Sequence, residues 1–295
     1  MTNGGRVERG LEAAKEKIRA HLKSAKGGVF TEANLSDMLA EHSREWGLTK
    51  RVSLRTFTEF LAEELGLRKV ELRAEHYRRL DRFAWGEFSP YFMALSLRPR
   101  SYLSHGTAVF LHGLNDQLPK TIYVNQEQSE KPRSGPLSQE RLTLAFQRRQ
   151  RTSNYVYSFD GFRAVLLSGK QTGALGVVKL KGPQREELPV TGLARTLIDI
   201  VVRPAYAGGI IQVLEAYRGA RGKVEGVEIA RVLKKLDYLY PYHQAIGFMM
   251  ERAGYPDTDL EKLRRLGTRY DFYLLHGIRN PKRDEKWRLF FPEGL

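Results

Sequence analysis

The stretch SHGTAVFLHGL, Ser104 to Leu114, sets two imidazoles seven positions apart around an apolar run. Imidazole is the side chain best suited to bind a metal or move a proton near neutral pH. On a helix, seven residues rise about 10.5 Å, so His105 and His112 share a face but stand two turns apart and cannot hold one ion. A helical zinc pair needs spacing i, i+4 with an acid nearby, and none of the seven histidines forms one. The pattern predicts that Ala108, Val109 and Leu111 bury the helix while the imidazoles bond to neighbouring backbone. His243, alone in PYHQAIG near a helix start, is read the same way.

Other catalytic patterns fail on residue type or order. The chain has no cysteine, which removes disulfides, zinc ribbons and thiol chemistry. SGKQTGALG has Gly and Lys in the wrong order for a Walker loop, ALGVV lacks the context of a dinucleotide site, and GxSxG is absent. Asp257 and Asp259 read as helix-capping carboxylates, and Arg195 with Asp199, spaced i, i+4 in ARTLIDI, as an intrahelical ion pair. The expectation is a chain without catalytic residues, metal or cofactor.

Charge points elsewhere. Forty-nine Lys and Arg against 34 Asp and Glu leave +15, which makes polyanions the natural partners. The excess is spread over the chain: residues 1–86 hold 17 basic and 13 acidic side chains, and residues 87–295 hold 32 and 21. The opening MTNGGRVERG is charged where a signal peptide needs an apolar segment, and no apolar run approaches the ~20 residues of a membrane helix. A soluble, cytoplasmic protein without membrane contact is expected. Its 295 residues suit two domains, set at 1–88 and 89–295.

The elements that would position a polyanion site lie in the first domain. Val7, Leu11, Ala14, Ile18 and Leu22 form one helical face, ended by Gly27 and Gly28. A second helix, with Thr31 as N-cap, buries Leu35, Met38, Leu39, His42 and Trp46. After a tight connection, a third runs from the cap Ser53 to Gly66 on an inner face of Leu54, Phe57, Leu61 and Leu65. From Leu67 the period becomes alternating, predicting a β-hairpin that carries Arg68, Lys69, Arg73, Arg78, Arg79 and Arg82. Three helices and a basic hairpin make a winged helix-turn-helix. On that reading Arg55, Thr56 and Thr58 face base edges, while Lys50, Arg51, Arg78 and Arg79 hold phosphates. Arg73 and Arg82 can instead pair with Glu71 or Asp81 inside the hairpin.

The second domain reads as a larger mixed α+β domain. Two short helical patterns break at Pro99, the strand KTIYVNQ follows, and residues 126–138 read as a mobile loop. A basic helix, SQERLTLAFQRRQR, ends in Arg148, Arg149 and Arg151. Strands NYVYSF, FRAVLLSG and LGVVKLK precede a run of helices from Thr191 to Gly267, and YDFYLLHG and KWRLFFP return to strands. Strands followed by packed helices, without βαβ alternation, give an α+β class.

Three blocks in this region, YLSHGTAVFLHGL with PKTIYV, TGLARTLIDIVVRPAYAGG, and YPYHQAIGFMMERAG, resemble the AbiEi antitoxins of type IV toxin-antitoxin systems, first associated with abortive phage infection. The likeness runs from Ser101 to Gly254. It implies an N-terminal winged helix that represses its own operon by binding repeats in promoter DNA. It further implies a C-terminal antitoxin domain that counters a nucleotidyltransferase-like toxin without a stable complex. Arg148 and Arg149 would then add a second phosphate contact. Two other readings stay open: an RNA-binding protein, and an enzyme built around His105, His112 or His243.

Overall fold

A computed structural model describes residues 3–115, 117–130 and 135–295. The chain opens with α1 (Asn3–Ser24), β1 (Val29–Phe30), α2 (Glu32–His42), α3 (Leu54–Leu65), β2 (Arg68–Ala74), β3 (Leu80–Ala84) and α4 (Pro90–Leu95). Then come β4 (Tyr102–Leu103), α5 (His105–Leu111), β5 (Thr121–Glu127), α6 (Gln139–Gln147), β6 (Val156–Phe159), β7 (Phe162–Gly169), β8 (Val177–Lys181) and β9 (Glu187–Thr191). Helices follow, namely α7 (Leu193–Val202), α8 (Ile210–Ala220), α9 (Gly226–Leu236), α10 (Tyr242–Arg252) and α11 (Asp257–Arg264), and β10 (Phe272–Tyr273), β11 (Lys282–Asp284) and β12 (Leu289–Phe291) end the series. The protein is of mixed α+β class. Among the described residues, no helix is long and apolar enough to cross a membrane.

The chain packs into two units. The first takes Met1–Pro99 with two later pieces, Tyr155–Ala164 and Pro183–Glu186, and the second takes the rest. The division expected after residue 88 is thus replaced by an interleaved one, with α4 and β6 in the first unit.

In the first unit the expected helical stripes make one core: Leu11, Ala14, Ile18 and Leu22 of α1 meet Leu35 and Met38 of α2 and Phe57, Leu61 and Leu65 of α3. Thr31 caps α2 in a reciprocal box with Asn34, each backbone N–H donating to the other's side chain at 2.9 and 3.1 Å. Ser53 caps α3 by accepting from the Thr56 N–H at 3.1 Å, and Gly66, left-handed at φ 73°, ends it. The connection from α2 to α3 is longer than expected, residues 43–53. It is occupied in burying Trp46, which stacks on both His42 and Phe57. β1 pairs antiparallel with β3, β3 with β2, and β2 with β6 through Arg73↔Ser158 and Ala74↔Tyr157.

In the second unit the strand order is β7, β5, β4, β9, β8, counting β7 from Val165. β4 is antiparallel to β5 and parallel to β9, while β8 and β9 form an antiparallel hairpin. β5 runs through Glu127, and the Gln128 N–H donates to the Gly169 carbonyl at 3.0 Å, so the expected loop begins later than residue 126. Its stretch 131–134 lies outside the described residues. The helical layer centres on α7, buried from Ala194 to Val201, with α5, α8, α9 and α10 packed around it.

The three-stranded sheet β10-β12-β11 docks on α10. Trp287 is fully buried there, its Nε1 donating to Glu251 at 2.6 Å. Gly247 makes the approach feasible, because a Cβ at that position would lie 2.2 Å from the Trp287 ring. Gly247→Ala should therefore destabilise the chain by about 1–3 kcal/mol, the usual cost of overpacking. Urea unfolding of Gly247→Ala, Trp287→Phe and the double variant would show costs that fail to add; simple additivity would refute the contact.

Candidate nucleic-acid interface

The sequence-derived candidates Lys50, Arg51, Arg55, Thr56, Thr58, Arg78 and Arg79 all belong to the first unit, and Arg148 and Arg149 to the second. Lys50 and Arg51 are exposed in the turn before α3. Arg55 projects from the first turn of α3 and forms an ion pair with Glu59 one turn on, at 2.9 Å. Thr56 and Thr58 are half-buried: the Thr56 hydroxyl bonds with that of Ser53 at 2.9 Å, and the Thr58 hydroxyl donates to the Leu54 carbonyl at 2.8 Å. The charged side chains on the rest of the exposed surface of α3 are all acidic, with Glu59 and Glu63 outward and Glu64 bound to Lys15 at 2.6 Å. A polyanion could therefore approach only the N-terminal end of α3, where the backbone N–H groups and Lys50, Arg51 and Arg55 gather.

The hairpin's charges divide into two groups. Glu71 and Asp81 face each other across β2 and β3, a like-charge pair that needs cations beside it. Arg73 and Arg79 both bond to Glu71, at 2.9 and 3.0 Å, and Lys69 to Asp81 at 2.7 Å. Arg82 is not part of the surface at all. It is buried and donates to the Ser96 hydroxyl and carbonyl, both at 2.8 Å, and to the Asp81 carbonyl at 2.7 Å. The signal was available in the alternation, since Arg82 shares its face of β3 with buried Ala84. At the tip, His76, Tyr77 and Arg78 remain exposed. The Tyr77 ring stacks on that of Tyr155, with centroids 4.1 Å apart and planes 18° from parallel.

In the second unit α6 stops at Gln147, and Arg148 is already extended, so Arg148, Arg149 and Arg151 form an exposed basic segment rather than a helix end. The segment Leu275–Gly277 terminates it: the Gly277 N–H donates to the Phe146 carbonyl at 2.7 Å, and the His276 ring lies 3.2 Å from the carbonyls of Ala145 and Arg148. A recess of about 350 Å³ lined by Arg218, Arg221 and Arg252 lies at the C-terminal ends of α8 and α10. Arg218 is paired there with Glu215 at 2.6 Å, and Arg252 donates to the Leu295 carbonyl at 2.9 Å.

The candidate catalytic histidines are engaged in the fold. The His112 Nε2 is 2.8 Å from the Thr191 carbonyl, and that of His243 is 2.6 Å from the Gly267 carbonyl. His105, left-handed at φ 50°, is buried, packs edge-on to Tyr206 and bonds through Nδ1 to the Ser104 hydroxyl at 2.9 Å, a side-chain partner rather than backbone. Asp259 accepts from the Gly226 N–H at 2.8 Å and so caps α9 rather than its own helix, while Asp257 pairs with Arg264 at 2.6 Å. The Arg195–Asp199 pair, at 2.8 Å, is intrahelical as expected but nearly inaccessible to solvent.

Around that pair lies a polar cluster whose members come from distant segments and share no spacing pattern. The Glu127 carboxylate accepts from the Thr172 and Gly173 N–H groups, each at 2.9 Å, from the Ala174 N–H at 3.2 Å, from the Thr172 hydroxyl, and from the Tyr102 hydroxyl at 3.1 Å. Burial pushes its pKa up, but these bonds outweigh burial and hold it below the usual carboxylate range. Arg195 donates to the Leu175 carbonyl at 2.9 Å, and Lys170 to the Leu236 carbonyl at 2.7 Å. Burial raises the Asp199 carboxyl against the opposing pull of Arg195.

No model of a known protein family matches the chain, and no curated protein does. Among solved structures, the chain is similar to the crystal structure of the RV2827C protein from Mycobacterium tuberculosis, with a TM-score of 0.54 over 94% of this chain and 90% of that one, at 14% identity. At that identity the likeness is one of fold.

Burial, reinforced by the Arg203 and Arg195 charges, pushes the His105 imidazole down to about 3. In the unfolded chain this imidazole titrates at about 6.5 and takes up a proton that the folded chain refuses. This contribution to stability is complete above that pH and is lost as the pH falls toward 3, the loss having reached about 2 kcal/mol at pH 5. His105→Asn tolerates the left-handed backbone and should flatten the dependence. Urea midpoints compared near pH 8 and pH 5 check this, and an unchanged pH profile in the variant would count against it.

Proposed function

We propose that the chain is a DNA-binding antitoxin of the AbiEi type: its first unit is a winged helix-turn-helix that represses its own operon, and its second counters a nucleotidyltransferase-like toxin. The observation that carries the DNA-binding part is the element order of the first unit. α1, β1, α2, α3 and the β2–β3 hairpin follow one another, β1 closes on β3, and the polar N-terminal end of α3 stands exposed with Lys50, Arg51 and Arg55. The excess of cations, twenty Lys and Arg against sixteen Asp and Glu in the first unit and 29 against 18 in the second, supports a polyanionic partner for both. The antitoxin part rests on the three sequence blocks, and the geometry of the histidines favours scaffold roles for them over catalysis.

The acidic surface of α3 refines this reading. The helix would enter the major groove by its N-terminal end, with Arg55 turning from Glu59 to a base edge and Lys50, Arg51, Arg78 and Arg79 on phosphates. Fluorescence anisotropy with the upstream promoter and a random duplex should give tighter binding to the promoter, and log affinity should fall with log salt by about 0.9 per phosphate contact. Arg78→Glu with Arg79→Glu should weaken both duplexes and shallow the slope by about 1–2. Arg148→Glu with Arg149→Glu should do likewise if the second unit also touches DNA. Equal affinity for promoter and random duplex would sink the repressor reading, and failure to rescue cells that make the neighbouring toxin would sink the antitoxin one.

A further inference from the structure

Tyr77 and Tyr155 are separated by much of the chain, yet their rings stack face to face at the tip of the β2–β3 hairpin. Each keeps more than a third of its surface exposed, at 38% and 37%. The arrangement is fixed by the sheet: β6, which begins just after Tyr155, is paired to the end of β2 at Arg73 and Ala74. Two aromatic rings held in parallel leave an outer π-face on which a third flat ring can extend the stack at little ordering cost. The surroundings select the kind of ring. Exposed Arg78 and Arg79 follow Tyr77 directly in the tip, Arg79 shared with Glu71, while His76 before it lies beside the acidic Glu75. A base attached to a sugar-phosphate chain matches a π-face followed directly by two arginines, as an apolar peptide side chain does not.

We propose that the Tyr77–Tyr155 pair is a stacking platform for a single unpaired base of DNA. The proposal rests on the DNA-binding reading above and adds to it. A paired base inside a duplex has both faces covered by its neighbours, so the platform engages a base that is already extruded, bulged or terminal, or a step that unstacks readily. Arg78 and Arg79 then hold the phosphates on either side of that base.

The test uses the full chain and two promoter duplexes that differ at one position, where 2-aminopurine is either paired or bulged. The expected result is roughly tenfold or greater preference for the bulged duplex, the scale of stacking one base, with quenching of the bulged fluorophore. Tyr77→Leu should abolish preference and quenching while keeping its affinity for the paired duplex; Tyr77→Phe should retain both, which separates loss of the ring from loss of the fold. Equal affinity for the two duplexes without quenching overturns the platform and leaves the DNA-binding reading standing. If neither duplex is bound, both fall. If Tyr77→Leu still quenches and still prefers the bulge, some other surface holds the base and the proposal is overturned.

Discussion

A buried guanidinium sets the terms for the second unit. Arg195 sits in a helix buried along almost its whole length, and its charge is kept there because Asp199 lies one turn on and the Leu175 carbonyl accepts from its far side. Removing one partner from such a pair leaves a naked charge in a poor dielectric, typically a loss of about 3–5 kcal/mol. The bonds fasten α7 to the segment between β7 and β8. That segment is gripped again by Glu127 at the end of β5, through three successive amides, and by Lys170 through the last carbonyls of α9. Sheet and helices of this unit are thus joined by polar contacts around one cation, with the apolar core of α7, α8, α9 and α10 packed beside it.

The three blocks that carry the family resemblance converge on this framework. His112 of the first block reaches the Thr191 carbonyl that opens the second, and Thr107 accepts from the Tyr123 N–H of PKTIYV at 2.8 Å. Gly106 lies so close to the Tyr206 carbonyl that a Cβ would approach it to 2.9 Å, and His105 packs against the same tyrosine. The third block, on α10, supplies Gln244, whose amide donates to the Tyr270 and Trp287 carbonyls at 2.9 and 2.6 Å and so seats the closing strands. These residues are held to their types by packing and buried hydrogen bonds, a sufficient physical reason for histidines and glycines in unusual positions.

Helices with a regular apolar stripe were legible: Leu11 to Leu22 and Phe57 to Leu65 occupy the core as their spacing requires. Strands β1, β4 and β10 have two residues each, too few for any period to register, and β9 hides behind Pro189. Spacing within one segment also cannot announce a partner from another. Nothing near Tyr77 names Tyr155, and nothing near Glu127 names Thr172. Among the site residues, exposure at Lys50, Arg51, Arg55 and Arg78 followed from pattern, whereas the commitment of Arg79 to Glu71 depends on hairpin register. Arg82, open on sequence to pairing within the hairpin, bonds there only to the Asp81 carbonyl and is otherwise turned inward to Ser96, as its parity with Ala84 along β3 requires.

The first unit borrows a strand from far down the chain, and this limits how it can be handled. β6 covers the outer edge of β2, so a fragment ending at residue 88, or even at Pro99, would leave the main-chain groups beside Arg73 and Ala74 without their mates. Bare strand edges recruit one another. A truncated N-terminal piece is therefore prone to self-association through that border, and a ring that β6 normally carries to the hairpin would be missing from it.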